Sequence, residues 1–213
     1  MCVINSYEKI VANGVPFDYA KRGKIKHEDY LRNRLVDDYF EHELNLLEED
    51  MLFFTLNKET SEEYRSLVDY ELHNDPIDIQ IVLKDKALQE SWGKDSKPYF
   101  AIECKRIRNS KSISEYVKDT KKFTEREYTK LRLPFEGQLG FIEHKTWNYS
   151  EVSQLIEDNL KSNVDIKTIQ LLKPYKIKNG YDGSYLSQHK KKNDINFSIF
   201  HLFFDYSNLT ING

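Results

Sequence analysis

The spacing of hydrophobic positions changes period several times along the chain, and each change predicts an element. Residues 1–25 read as a short strand or irregular arm, broken at Gly14, Pro16 and Gly23. From 26 to about 47 the spacing turns helical. Leu31, Leu35 and Tyr39 form one stripe, with Val36, Phe40, Leu44 and Leu47 beside it. A polar stretch over 57–63 predicts a connection. Three strands are predicted next, at 67–72, 77–83 and 99–107. The first has the weakest pattern. The second, Ile-Asp-Ile-Gln-Ile-Val-Leu, alternates and is rich in β-branched residues. The polar run 84–98, which contains Gly93, predicts the loop before the third.

A helix is expected over 114–131, where Tyr116, Val117, Thr120, Phe123, Tyr128 and Leu131 fall near helical spacing. Pro134 and Gly137 end it before a strand at 138–143. Ser150 is placed to cap a further helix carrying Val152, Leu155, Ile156 and Leu160. Strands near 166–172 and 195–205 close the chain. In the last, Phe197, Ile199, Phe200, Leu202, Phe203 and Phe204 leave little alternation, which predicts burial on both faces. The order α-β-β-β-α-β, with more elements after it, predicts an α/β (α+β) fold. One domain spans 1–213, a mixed β-sheet flanked by helices, with a core at about 26–143 and an extension over 144–213.

Composition narrows the class. Of 213 residues, 39% are hydrophobic and 13% aromatic, enough to fill a core and to exclude wholesale disorder. No run approaches the roughly 18 apolar residues of a membrane span, and residues 1–6 lack the basic and apolar regions of a signal peptide. Two cysteines, Cys2 and Cys104, make neither a disulfide framework nor a zinc-finger spacing, so a reducing, cytoplasmic setting is the default expectation. The six histidines form no helical pair, and no Walker A, GxGxxG or GxSxG motif is present.

The net charge of −3 conceals an asymmetry. Residues 37–63 hold ten acids and one Lys, whereas 105–132 hold ten basic residues and four acids. Screening confines each charge to about 8 Å at physiological salt, so a basic segment can bind a polyanion despite the negative total. Arg106, Arg108, Lys121, Lys122 and Arg126 are the candidate phosphate contacts, with a solvated helix surface as the equal alternative.

Strand geometry then singles out a constellation. Glu103 and Lys105 are two apart, so they leave one face of their strand while Phe100, Ile102 and Cys104 leave the other. In the strand over 77–83, Ile77, Ile79, Ile81 and Leu83 are expected on one face and Asp78 on the opposite one. Antiparallel pairing of the two strands would set Asp78 beside Glu103. Neighbouring carboxylates repel unless a cation neutralises them, and an all-oxygen site suits Mg²⁺ or Mn²⁺. The bland alternative is a cross-strand ion pair of Glu103 with Lys105.

Asp75-Pro76-Ile77-Asp78 followed by Glu103-Cys104-Lys105 resembles the PD-(D/E)XK nuclease superfamily. The resemblance covers about residues 26–143 and implies a restriction-endonuclease-like core. It implies Asp78 and Glu103 as metal ligands, the Cys104 backbone carbonyl as a further ligand, and Lys105 as the group that positions the attacking water. Ile77 stands between the proline and the acid, which leaves Asp75 as a competitor for the ligand role. Glu28, which continues the apolar stripe of the first helix, matches a helix glutamate that touches the metal shell in this superfamily. Asp29 is its substitute, and a first-turn acid favoured by the helix dipole is the plain alternative. Gln138, where the fourth strand begins, is expected near the pocket or simply flanking a turn. The implied activity is Mg²⁺- or Mn²⁺-dependent hydrolysis of nucleic acid, DNA first, with no membrane partner. A homodimer fits cutting of both strands. The rival is a nuclease-like module that binds nucleic acid or a protein without cutting.

Overall fold

The first element is a helix, where the early Gly and Pro predicted a strand or irregular arm. In the computed structural model, which describes residues 1–48, 54–83, 97–129 and 131–212, α1 (Cys2–Asn13) buries Val3, Ile4, Tyr7 and Ile10. Their spacing is helical, and Gly14 ends the helix in the left-handed conformation at φ +61°. The two-residue β1 (Phe17–Asp18) pairs with β10 (Thr210–Ile211) and ties the start of the chain to its end. The helical stripe over 26–47 folds as α2 (His27–Leu35), a π-helical turn (Val36–Phe40) and α3 (Glu41–Glu48).

The predicted polar connection at 57–63 lies within a strand. β2 (Phe54–Ser66) and β3 (Leu72–Leu83) form a long antiparallel hairpin. The strand expected at 67–72 is mostly the turn of that hairpin, with Tyr70 at φ +64°. The predicted loop at 84–98 lies almost wholly outside the described residues. β4 (Tyr99–Ile107) has the predicted bounds. The next helix is shifted: α4 (Ser110–Glu125) starts early because Asn109 and Ser112 form a reciprocal capping box. It ends early because β5 (Arg126–Tyr128) pairs with β2. β6 (Phe135–Ile142) runs through Gly137. A Cβ there would lie 2.7 Å from the Phe100 ring and 3.0 Å from the Ala101 carbonyl, so glycine permits the close approach of β4. α5 (Tyr149–Ser162) is capped by Asn148 with Glu151, not by Ser150. β7 (Lys167–Pro174), β8 (Ser184–Lys190) and β9 (Asn196–Asp205) complete the set.

Eight strands make one mixed sheet in the order β5-β2-β3-β4-β6-β9-β8-β7. The centre, β4-β6-β9, is parallel, and antiparallel pairs flank it on both sides. The helices α1 to α3 pack on one face over Ile79, Ile102, Cys104, Leu139, Phe141 and Phe204. On the other face α4 and α5 pack over Ile107, Ile142, Phe203 and Tyr185. Both faces of β9 are therefore covered, which is why its apolar run does not alternate. The expected common face of β3 is broken at one point. Ile79 and Ile81 pack with the first core, whereas Ile77 packs with Val82, Tyr99 and Ala101. Asp78 sits at that break.

Candidate active site

The ladder of β3 and β4 runs from Val82↔Tyr99 to Ile79↔Ile102 and then stops. The next two positions are Asp78 and Glu103, so the strands part where the predicted acids lie. Asp78 Oδ2 accepts the Cys104 backbone N–H at 2.7 Å. Its other oxygen, Oδ1, accepts Arg32 Nη1 at 2.6 Å. Arg32 is 1% exposed, also pairs with Glu59, and lies 3.4 Å from Asp29. This arginine was not singled out from the sequence. It directly follows Leu31 but lies off the Leu31–Leu35–Tyr39 stripe, and only the fold turns it inward.

Lys105 and Glu28 meet at the start of α2. Glu28 Oε2 accepts the Arg106 backbone N–H at 2.9 Å, and Lys105 Nζ lies 3.2 Å from Glu28 Oε1. A third acid completes this side: Asp119 on α4 lies 3.3 Å from Lys105 and 2.7 Å from Lys122. Burial alone would lower the pKa of Lys105, but Asp119 and Glu28 outweigh it and hold the ammonium above its usual range. The lysine is thus a fixed positive charge at neutral pH. Burial pushes the Glu28 carboxyl up, and Lys105 partly offsets it.

Glu103 is the outlier of the group. Among the described residues its carboxylate makes no hydrogen bond and no ion pair. Burial, then the negative charges of Asp78 and Asp119, push its pKa up to about 8. The charges of Asp78 and Asp119 thus bear on Glu103, while Lys105 pairs with Glu28 and Asp119. Comparison with protein-family models, curated proteins and solved structures finds no match. The site's chemistry must therefore be read from its own geometry.

The remaining candidates divide. Gln138 stands beside Glu103 in the β4–β6 register, yet its amide is spent on α4: Thr120 Oγ1 donates to it at 3.0 Å, and it donates to the Tyr116 carbonyl at 3.1 Å. Asp75 pairs with Arg126, which also stacks over Tyr64 at 4.2 Å, so both lie in a separate cluster on the β2–β3–β5 side. Lys121 reaches Asp165 at 2.5 Å rather than the acid cluster. Cys104 is a fully buried core side chain. Arg106 and Arg108, by contrast, line a cavity of about 450 Å³ that also contains Lys105 and Glu28 in its wall. Arg106 is held there by Glu143, with Nε at 3.0 Å, and by the Tyr19 ring at 5.1 Å.

The donor set suits a hard divalent cation, being all carboxylate and backbone oxygen. The charge-stressed, unpartnered Glu103 is the observation that fits one. Two features limit that fit. Among the described residues no three His, Cys, Asp or Glu side chains already converge on one ion position. Both Asp78 oxygens also have donors, so an ion there would share the carboxylate with Arg32 and the Cys104 N–H.

Proposed function

We propose that the protein is a metal-dependent nuclease that hydrolyses phosphodiester bonds, DNA being the first candidate substrate, on a restriction-endonuclease-like core. The observation that carries this reading is Glu103, an acid whose carboxylate has no partner among the described residues and whose pKa is pushed up to about 8, next to Asp78 at the point where two strands part. Asp78 and Glu103 would hold Mg²⁺ or Mn²⁺, with the Cys104 carbonyl and Glu28 nearby. When bound, such a cation lowers the pKa of a water ligand and offsets charge on the scissile phosphate. Lys105, kept protonated by Asp119 and Glu28, cannot serve as a general base at neutral pH. Its part is to orient the nucleophile and to stabilise negative charge developing on the phosphate. Arg32 donates to Asp78 Oδ1 and so would aim the carboxylate before the ion arrives.

A second reading has its own observation. The buried Arg32–Asp78 pair neutralises one acid without any metal, as a non-cutting nucleic-acid-binding or protein-binding module would require. Incubation with labelled duplex, single-stranded and branched DNA and with RNA, in Mg²⁺, Mn²⁺ or EDTA, separates the two. The nuclease reading expects cleavage that EDTA abolishes and that Asp78→Ala, Glu103→Ala and Lys105→Ala each reduce at least a hundredfold. Cleavage that persists in all three variants removes the site assignment.

A further inference from the structure

Seven basic side chains meet in the cavity beside Glu28 and Lys105. Arg22 and Lys24 come from the segment expected as an arm, Lys26 and His27 from the start of α2, and Lys105, Arg106 and Arg108 from the end of β4 and the residue after it. Gly23, at φ +64°, makes the turn between the 3₁₀ helix Tyr19–Lys21 and α2. That left-handed bend costs little at glycine and lets Arg22 donate back to the Ile25 carbonyl at 2.5 Å, which closes the segment on itself.

Most of this positive charge has no acid to answer it. Among the described residues Lys24, Lys26 and Arg108 form no side-chain ion pair, and Arg22 bonds only to backbone carbonyls. The two acids in the wall are already engaged, Glu28 by Lys105 and Glu115 by Lys118. His27 registers the result. Burial, then Arg106 and Arg22, lower its pKa, with Glu143 opposing. Like charges gathered around a concave space are destabilising unless an anion shares it, and arginine and lysine are the donors that suit phosphate oxygens.

We propose that this cavity is a phosphate-binding subsite that receives the sugar–phosphate backbone of a nucleic-acid strand and leads it onto the acid cluster. Glu28 and Lys105 stand in the walls of both, so a strand seated in the cavity continues towards Glu103 and Asp78. The identity of the strand rests on the nuclease reading, whereas the anion preference of the cavity does not. The volume of about 450 Å³ falls in the range of small-ligand pockets, about 300–1,000 Å³. It has room for more than a lone phosphate ion.

The test is binding without turnover. A fluorescent single-stranded DNA 12-mer lacking terminal phosphates is titrated in EDTA into wild-type protein, into Lys24→Glu/Lys26→Glu, and into Lys167→Glu/Lys190→Glu. The last pair carries the same charge change on β7 and β8, away from the cavity. Lys24 and Lys26 are exposed, and circular dichroism verifies that both variants are folded. The proposal expects at least a tenfold loss of affinity in the first variant and little change in the second. The slope of log affinity against log salt should flatten by about 1.4, the value for two phosphate contacts on a single strand. Equal losses in both variants would overturn the subsite. Inorganic phosphate competing as strongly as the 12-mer would overturn the strand as its occupant. Because EDTA suppresses cleavage, failure of the nuclease reading shows only in the cleavage assay and leaves this result separate.

Discussion

Glu103→Gln is the most informative single change, because it keeps the side-chain shape and removes only the ionisation. The wild-type carboxyl has a folded pKa of about 8 against 4.5 for the free group. A folded pKa above the unfolded one means that the stability tied to the proton is complete below pH 4.5. It is lost as pH rises through 8. The shift of 3.5 units, at about 1.36 kcal/mol per unit, sets a ceiling of about 5 kcal/mol. Glu103 is partly accessible to solvent and shares its charge burden with Asp78 and Asp119, so about 2–3 kcal/mol is the expected size. Urea unfolding in EDTA at pH 5, 7 and 9 measures it. The variant should match the wild type within about 1 kcal/mol at pH 5 and exceed it by about 2–3 kcal/mol at pH 9. Millimolar Mg²⁺ at pH 9 should close that gap by stabilising the wild type alone. A difference that stays constant from pH 5 to pH 9 would refute the reasoning, since it would mean that Glu103 ionises as freely in the fold as outside it.

Two further substitutions test neighbouring geometry. Arg32→Met removes the counter-charge of Asp78 and Glu59 from a site 1% exposed and should cost about 3 kcal/mol in chemical denaturation. The same variant should bind Mn²⁺ more tightly than the wild type, because Asp78 Oδ1 no longer has a competing donor. Gly137→Ala should cost about 2 kcal/mol in thermal or urea unfolding. Its Cβ would meet the Phe100 ring and the backbone carbonyl of Ala101, and the carbonyl cannot swing away.

What could be read from the sequence was whatever a regular period makes visible. β4 and β9 were legible because apolar residues fill them between polar flanks, and the shared face of Glu103 and Lys105 because two-residue spacing fixes it. β2 was read as a connection because its hairpin with β3 leaves both faces half exposed, so no core stripe forms. β8 was missed for a different reason. Its inward residues include Ser187 and His189, which are satisfied by a buried chain of hydrogen bonds. Ser187 lies 2.8 Å from His189 Nε2 and 2.7 Å from His201 Nε2, and His201 Nδ1 lies 2.9 Å from the Tyr116 hydroxyl. Burial lowers the pKa of His189 to about 4 and of His201 to about 3, so both are neutral inside the sheet. Asp119 went unnoticed because an acid three residues before Lys122 looks like ordinary helix surface. Its contact with Lys105 exists only once α4 lies across β4. The loop at 22–26 carried its basic residues in plain view, yet nothing local tells that Arg106 and Arg108 close the same cavity.

The account stands on Asp78 and Glu103 capturing a hard cation together. Isothermal titration of Mn²⁺ into the metal-free protein at pH 8.5, where Glu103 is mostly ionised, tests this directly. Wild-type protein should take up the ion at a specific site that Asp78→Asn and Glu103→Gln each abolish. No uptake by the wild type, or uptake that survives both substitutions, would contradict it.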